Sequence, residues 1–171
     1  ISDGAAAIVV SAEPAAVPVR IAGTGQGHTH QSLSHAPDDV ARGARLSAAS
    51  AFEEAGVTPD DVGLAGVYDS FTVTLAMLLE ATGLSREGRA PADVSDGRYA
   101  ADGRVPLNLH GGLLGYGHPG VAGGMAHAVE VFRQMAGRSP LGSLAPADVA
   151  LIHADGGILS SHVSVVLKRD P

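Results

Sequence analysis

Short apolar runs alternate along the chain with stretches of helical period, and glycine or proline punctuates the joins. Residues 4–10 are continuously apolar and read as a buried strand. After a turn at 13–16, the β-branched alternation of residues 17–22 predicts a second strand. Residues 23–37, rich in Gly, His, Ser and Thr, read as a long loop. Asp38 or Asp39 is placed to cap a helix running to about Ala55, with Val40, Ala44, Ala48, Ala51 and Phe52 near helical spacing and Gly56 as its stop. A strand is predicted at 62–67, then a helix at 72–82 that Asp69 or Ser70 can cap. Residues 83–104 are polar and carry the turn pairs Asp96-Gly97 and Asp102-Gly103, so they read as a surface excursion over the site. Residues 105–109 read as extended, 111–120 as a glycine-rich loop and 121–136 as a helix. Strands at 148–152 and 162–167 flank the turn at Gly156-Gly157. Strands alternating with helices predict an α/β fold, a layered domain with a mixed five-stranded sheet and about three helices. In such folds the chemistry gathers on loops at strand ends.

Composition narrows the function. The 171 residues carry 11 Lys+Arg against 18 Asp+Glu, a formal net charge of −7, and Lys168 is the sole lysine. That balance argues against nucleic acid as a partner, which requires clustered positive charge. Cysteine is absent, which removes a disulfide framework, a thiolate metal site and a thiol nucleophile from these residues. The same absence is compatible with a reducing cytosol, and a cytoplasmic location is expected. No apolar run reaches the ~18 residues a membrane helix needs, so no membrane span is expected. An apolar run so close to Ile1 points to a piece of a larger protein.

Three segments can carry chemistry. The first is Asn108-Leu-His-Gly-Gly-Leu-Leu-Gly-Tyr-Gly-His-Pro-Gly120. Its glycines expose backbone N–H groups, Pro119 restricts how His118 is presented, and a helix starts just beyond. An imidazole beside such donors suits carbonyl chemistry, taking a proton while the donors hold an enolate or oxyanion. A tight glycine turn with an incidental histidine has the same spacing. The second is Tyr68, a phenol at the end of an apolar strand, which can hydrogen-bond a carbonyl oxygen or serve as a core tyrosine. The third is His153-Ala-Asp-Gly-Gly157, where Asp155 either orients His153 or forms an Asx-turn. His28 and His30 lack further ligands at recognisable spacing, and no metal is expected.

Together these segments resemble the C-terminal half of a thiolase. The thiolase glycine motif reads Asn-Val-Asn-Gly-Gly-x-x-x-x-Gly-His-Pro-x-Gly-x-x-Gly. Asn108, Gly111, Gly112, Gly117, His118, Pro119 and Gly124 hold its places without a gap. Tyr68-Asp-Ser-Phe71 stands where thiolases carry Asn-Glu-Ala-Phe, or His-Asp-Cys-Phe in the sterol-carrier type. Residues 150–157 stand where they carry Cys-x-Gly, and residues 2–10 resemble the strand that closes the N-terminal half.

The resemblance implies that residues 1–16 are the tail of that half and 17–171 the C-terminal domain. It implies catalytic roles for His118, Tyr68, Tyr116 and His153, and contacts of Gly117, Gly156 and Gly157 with the bound acyl-CoA. No cofactor is implied; a coenzyme A thioester is the substrate. His153 occupies the place of the acid/base cysteine of Claisen condensation. The pattern is most similar to thiolase-like lipid-transfer proteins and steroid side-chain aldolases. That similarity implies making or breaking a C–C bond in an acyl-CoA, by retro-aldol cleavage of a β-hydroxyacyl-CoA or by acyl transfer. The expected partners are the missing N-terminal half, a second copy in a homodimer, and an OB-fold, zinc-ribbon protein that helps bind acyl-CoA. A non-catalytic acyl-CoA or lipid carrier, or a scaffold subunit, is the alternative.

Overall fold

The computed structural model describes residues 2–13, 17–142 and 147–170. Four strands form one mixed sheet in the order β1-β4-β3-β2: β1 (Val19–His28), β2 (Leu64–Val67), β3 (Val149–Gly156) and β4 (Ser161–Arg169). β1 pairs antiparallel with β4, β4 antiparallel with β3, and β3 parallel with β2. The main helices are α1 (Arg42–Ala55), α2 (Thr72–Ala81) and α5 (Gly123–Met135), with short α3 (Ala90–Ser95) and α4 (Gly112–Tyr116).

Strand alternation divides the core between two faces. Ala65, Val67, Val149, Leu151 and Val166 join Ala48, Phe52, Leu78 and Leu79 on the α1–α2 side. Leu64, Ala150, Ile152 and Leu167 join Val131 and Met135 on the α5 side. β2 and most of β3 are buried throughout, which explains why they read as unbroken apolar runs rather than alternating ones.

The α/β class and mixed sheet match expectation, with four strands instead of five. Residues 4–10 form no strand. They lie exposed and irregular, with Val9 94% accessible, and Ser2 N–H reaches the His118 carbonyl at 3.3 Å. An apolar run becomes a strand when a neighbour takes its backbone hydrogen bonds, and the described residues place no strand beside this one. Residues 105–109 make a single parallel bridge, Ala65 to Leu107. Pro106 has no N–H to give, and Asn108 turns the chain with φ +48°. The expected turn at 13–16, and with it the 16/17 domain boundary, falls on residues outside those described.

The largest correction is at β1, which continues from Val19 to His28 through residues expected to be loop. Its register slips between Ile21 and Gly23. Beyond that slip Gly23, Gly25 and Gly27 lie directly under α1. A Cβ on Gly25 would stand 1.9 Å from the Ser47 carbonyl oxygen, and one on Gly27 2.0 Å from the Gly43 carbonyl oxygen. The glycines are thus a packing seam that lets helix backbone meet strand backbone.

Two expected caps are also absent. α1 starts after Ala41 with no side-chain cap, and Asp39 instead pairs with Arg45 at 2.7 Å. α2 starts after Phe71, also without one, because Asp69 is engaged elsewhere. Gly56 does end α1, in the left-handed conformation. The 83–104 excursion does not lie loose over a site. Leu84, Ala90 and Tyr99 enter the α1–α2 core, and Tyr99 Oη meets Ser85 Oγ at 2.6 Å.

The seam sets a test. Gly25→Ala should lower unfolding free energy in urea by about 1–3 kcal/mol or more, the usual cost of overpacking. Gly115→Ala, whose Cβ would meet nothing within 4 Å, is the control and should change it little.

Candidate active site

β2 and β3 run parallel with Val67 opposite His153, and Tyr68 N–H donates to the His153 carbonyl at 2.9 Å. Their carboxyl ends therefore open at one edge of the sheet, where parallel sheets present ligand sites. Residues 108–120 cross that edge and are fixed to β2 at two points. Asn108 mimics a strand neighbour: Val67 N–H donates to its Oδ1 at 2.9 Å, and its Nδ2–H donates to the Val67 carbonyl at 2.8 Å. Leu113 N–H then donates to Asp69 Oδ1 at 2.8 Å. The approach is so close that a Cβ on Gly112, already at φ +66°, would lie 2.0 Å from Asp69 Oδ2. Glycine is required there on both counts.

This arrangement brings His118 to Tyr68. Tyr68 Oη and His118 Nε2 are 2.9 Å apart, with the rings edge to face. Gly120 N–H donates to His118 Nδ1 at 3.1 Å. A nitrogen that accepts carries no proton, so neutral His118 is protonated on Nε2 and donates to the phenol oxygen. The phenolic proton of Tyr68 is then left to donate to another oxygen. Burial raises the Tyr68 pKa above the ordinary phenol value, and the charges of Asp155 and Asp69 add to the effect. The group is a neutral donor at physiological pH.

Behind the pair lies a polar layer. Asp69 Oδ1 stands 3.3 Å from Nε2 of the fully buried His127. Burial alone would raise the Asp69 carboxyl, but the adjacent His127 ring and the hydrogen bond from the Leu113 amide hold it below the usual carboxylate value. His110 packs edge to face on His127 with ring centres 5.0 Å apart, and burial lowers its pKa.

The other expected site residues lie apart from the Tyr68–His118 pair. Tyr116 is 71% exposed and packs against His110, with ring centres 5.4 Å apart. With Gly117 it borders a cavity of about 740 Å³ between α5 and residues 2–7, which Tyr68 and His118 do not line. His153 points to the opposite face of the sheet. It follows the alternation of Val149 and Leu151, is fully buried, and meets Ser164 Oγ at 2.8 Å. The parity of β3 makes the separation: a residue whose carbonyl binds Tyr68 still sends its side chain toward α1. Gly156 ends β3 and Gly157, at φ +63°, opens the turn into β4. Among the described residues no three His, Asp or Glu side chains converge as a metal site, and no helix is long and apolar enough to cross a membrane.

Sequence reasoning missed His127 and gave Asp69 a helix cap. A histidine on the buried side of a helix forms no motif, and the carboxylate's target lies 44 residues away.

Known proteins share this organisation. A thiolase C-terminal domain-like family matches residues 25–169. The chain is 32% identical over 163 residues to an acetyl-CoA acetyltransferase of Methanothermobacter thermautotrophicus, covering 92% of this chain and 43% of that protein. It is 32% identical over 170 residues to a 17-hydroxy-3-oxo-4-pregnene-20-carboxyl-CoA lyase of Mycobacterium tuberculosis, covering 94% and 43%. A solved Ltp2-ChsH2(DUF35) aldolase superposes with a TM-score of 0.77 at 28% identity, over 90% of this chain and 40% of that one. The chain thus spans about two fifths of the length of these relatives. The glycine-His-Pro loop clamped to the end of β2, and a family match over most of the chain, lead to one conclusion: the chain belongs to the thiolase C-terminal domain-like family.

Proposed function

We propose that this chain supplies the C-terminal half of an active site that makes or breaks a C–C bond in an acyl-CoA thioester, and that retro-aldol cleavage of a β-hydroxyacyl-CoA is the reaction its side chains suit best. The observation that carries this reading is the Tyr68–His118 hydrogen bond with its direction set by Gly120. A donor phenol backed by an imidazole N–H is suited to an oxygen that gains negative charge.

In the cleavage, a base takes the β-hydroxyl proton and the electron pair of that O–H bond becomes the new carbonyl. The bond between the α and β carbons breaks, and its pair forms the thioester enolate. Tyr68 O–H donates to that enolate oxygen while His118 Nε2–H supports the phenol. Tyr116, acting as the phenolate once its accessible ring swings from His110 toward the Tyr68–His118 pair, is the proposed acceptor of the β-hydroxyl proton. Protonation of the α carbon completes a shorter acyl-CoA and a free ketone or aldehyde. Thiolysis suits this chain less well. His153 stands where the second proton-transfer group would be a thiol, and it faces away from the pair.

The similarity to the mycobacterial CoA lyase and to the solved aldolase supports the same reading. The chain spans about two fifths of these relatives, which fits an N-terminal half that completes the pocket, and we further propose a homodimer and an OB-fold, zinc-ribbon partner that binds acyl-CoA. The exposed apolar segment 2–10 fits residues 1–16 as the tail of that other half. We place the protein in the cytoplasm.

The test is turnover by the full-length polypeptide that contains this chain. It should release a ketone or aldehyde from a β-hydroxyacyl-CoA and show no CoA-dependent thiolysis of a β-ketoacyl-CoA. Binding without either product points to a carrier. Tyr68→Phe should lower kcat roughly 10²–10⁴-fold, the range for loss of a general acid–base group; unchanged turnover would remove Tyr68 from the mechanism. Because Tyr68 must be protonated and its pKa is raised, activity should persist as pH rises and fall only above the ordinary phenol value of about 10. A pH profile of kcat/KM checks this.

A further inference from the structure

Two histidines, His110 and His127, take no part in the proposed cleavage, and packing alone does not account for them. His127 is fully buried on α5, and His110 lies on the chain just before α4. All four of their ring nitrogens are buried without a hydrogen-bond partner. A polar group buried in that way costs stability, and a leucine or phenylalanine fills the same space without the cost. The reason for imidazoles lies in what their rings touch.

His127 is brought to the site by a glycine. Gly66 of β2 faces α5, and a Cβ there would stand 3.0 Å from His127 Cβ and 2.8 Å from Val131 Cγ2. With no side chain between them, the helix comes down on the strand three residues before Asp69. His127 Nε2 then stands 3.3 Å from Asp69 Oδ1, and its ring centre lies 6.4 Å from that of Tyr68. On its other side the ring meets His110, with 5.0 Å between centres and 78° between planes.

Those two neighbours hold the two ends of α4. The residue before this helix is Gly111, which has no side chain to cap it. Asp69 does so from 44 residues away, accepting the Leu113 amide at 2.8 Å. At the other end Tyr116 is the last residue of α4, and its ring rests against His110 with 5.4 Å between centres. Gly117 follows at φ +130° and ψ 154°, a conformation open in practice only to glycine, and leads directly into His118. A helix of five residues is too short to hold its own place, so what grips its ends decides where its side chains stand.

We propose that His127 is a positioning residue for the reaction: it braces Asp69 on one side and His110 on the other, and so fixes α4 and the places from which Tyr116 and His118 work. The Asp69 carboxylate faces a ring nitrogen that restrains it toward the Leu113 amide. His110, backed by the same ring, is the rest from which Tyr116 swings. One imidazole thus sets the spacing between the Tyr68–His118 pair and the second phenol. It acts through Asp69 and His110 and touches no reacting atom itself.

The catalytic consequence rests on the aldolase reading, but the bracing does not, and two variants of the full-length polypeptide separate them. His127→Phe keeps a ring against His110 and offers Asp69 nothing. His127→Gln offers Asp69 an amide N–H and gives His110 no ring. In NMR spectra of protein labelled with ¹⁵N and with ¹³C-tyrosine, His127→Phe should shift the Leu113 amide and the His118 ring nitrogens. His127→Gln should shift the Tyr116 ring while the Leu113 amide stays in place. Leu113, His118 and Tyr116 signals that all match the wild type in both variants overturn the bracing, whatever the enzyme turns over. Per folded enzyme, each variant should lower kcat about 10–100-fold, the scale for misplaced catalytic groups, with KM within about twofold. A kcat equal to wild type, or a loss carried by KM alone, overturns the positioning role even where the signals move. A wild type that cleaves no β-hydroxyacyl-CoA sinks the aldolase reading, and the spectra still decide the bracing. If neither variant folds, the wild type decides: nuclear Overhauser cross-peaks should join the His127 ring to that of His110 and the His110 ring to that of Tyr116, and their absence overturns the proposal.

Discussion

Everything at the sheet edge depends on how residues 108–113 are tied to the end of β2. Asn108 exchanges two hydrogen bonds with Val67, and Asp69 takes the Leu113 amide. Between these points the chain passes so close to Asp69 that a side chain at position 112 would collide with it. A loop free at either point would carry His118 on a flexible tether. Tied at both, it delivers the imidazole to within hydrogen-bond distance of Tyr68. The ordering entropy of a glycine-rich segment is large, and side-chain to backbone bonds at buried positions are the counterweight.

The same logic of close approach organises the far side of the sheet. Gly23, Gly25 and Gly27 on β1 meet the carbonyl side of α1 with no side chain between them. The helix therefore sits near enough for Ser47 to reach Ser164 on β4. The buried polar chain that begins there is possible because the packing removes the space a larger residue would need. Low aromatic content and many glycines are thus two aspects of one design, in which backbone rather than bulky side chain fills the interior.

The two polar groups also show how one sheet gives similar side chains different work. His118 and His153 were read from the sequence as parts of one site. His118 arrives on a loop that crosses the edge, while His153 belongs to a strand and obeys its alternation. The first pairs with the phenol and the second is sealed beneath α1. The carbonyl of His153 still positions Tyr68 through the backbone.

The α/β class, the main helices, three of the four strands and the glycine-His-Pro loop were legible in the sequence, because each rests on local periodicity or on glycine, proline and histidine at fixed spacing. The continuation of β1 through glycines was not, since glycine lowers strand propensity and nothing local announces a helix packed on top. Nor were the roles of Asp69 and His127, whose partners come from distant segments. Whether residues 4–10 pair as a strand also lies beyond local pattern, because a strand is completed by its neighbour. The sequence determined which groups exist and which elements carry them. Tertiary structure decided which groups meet, because hydrogen-bond reach is a few ångströms in space and is blind to separation along the chain.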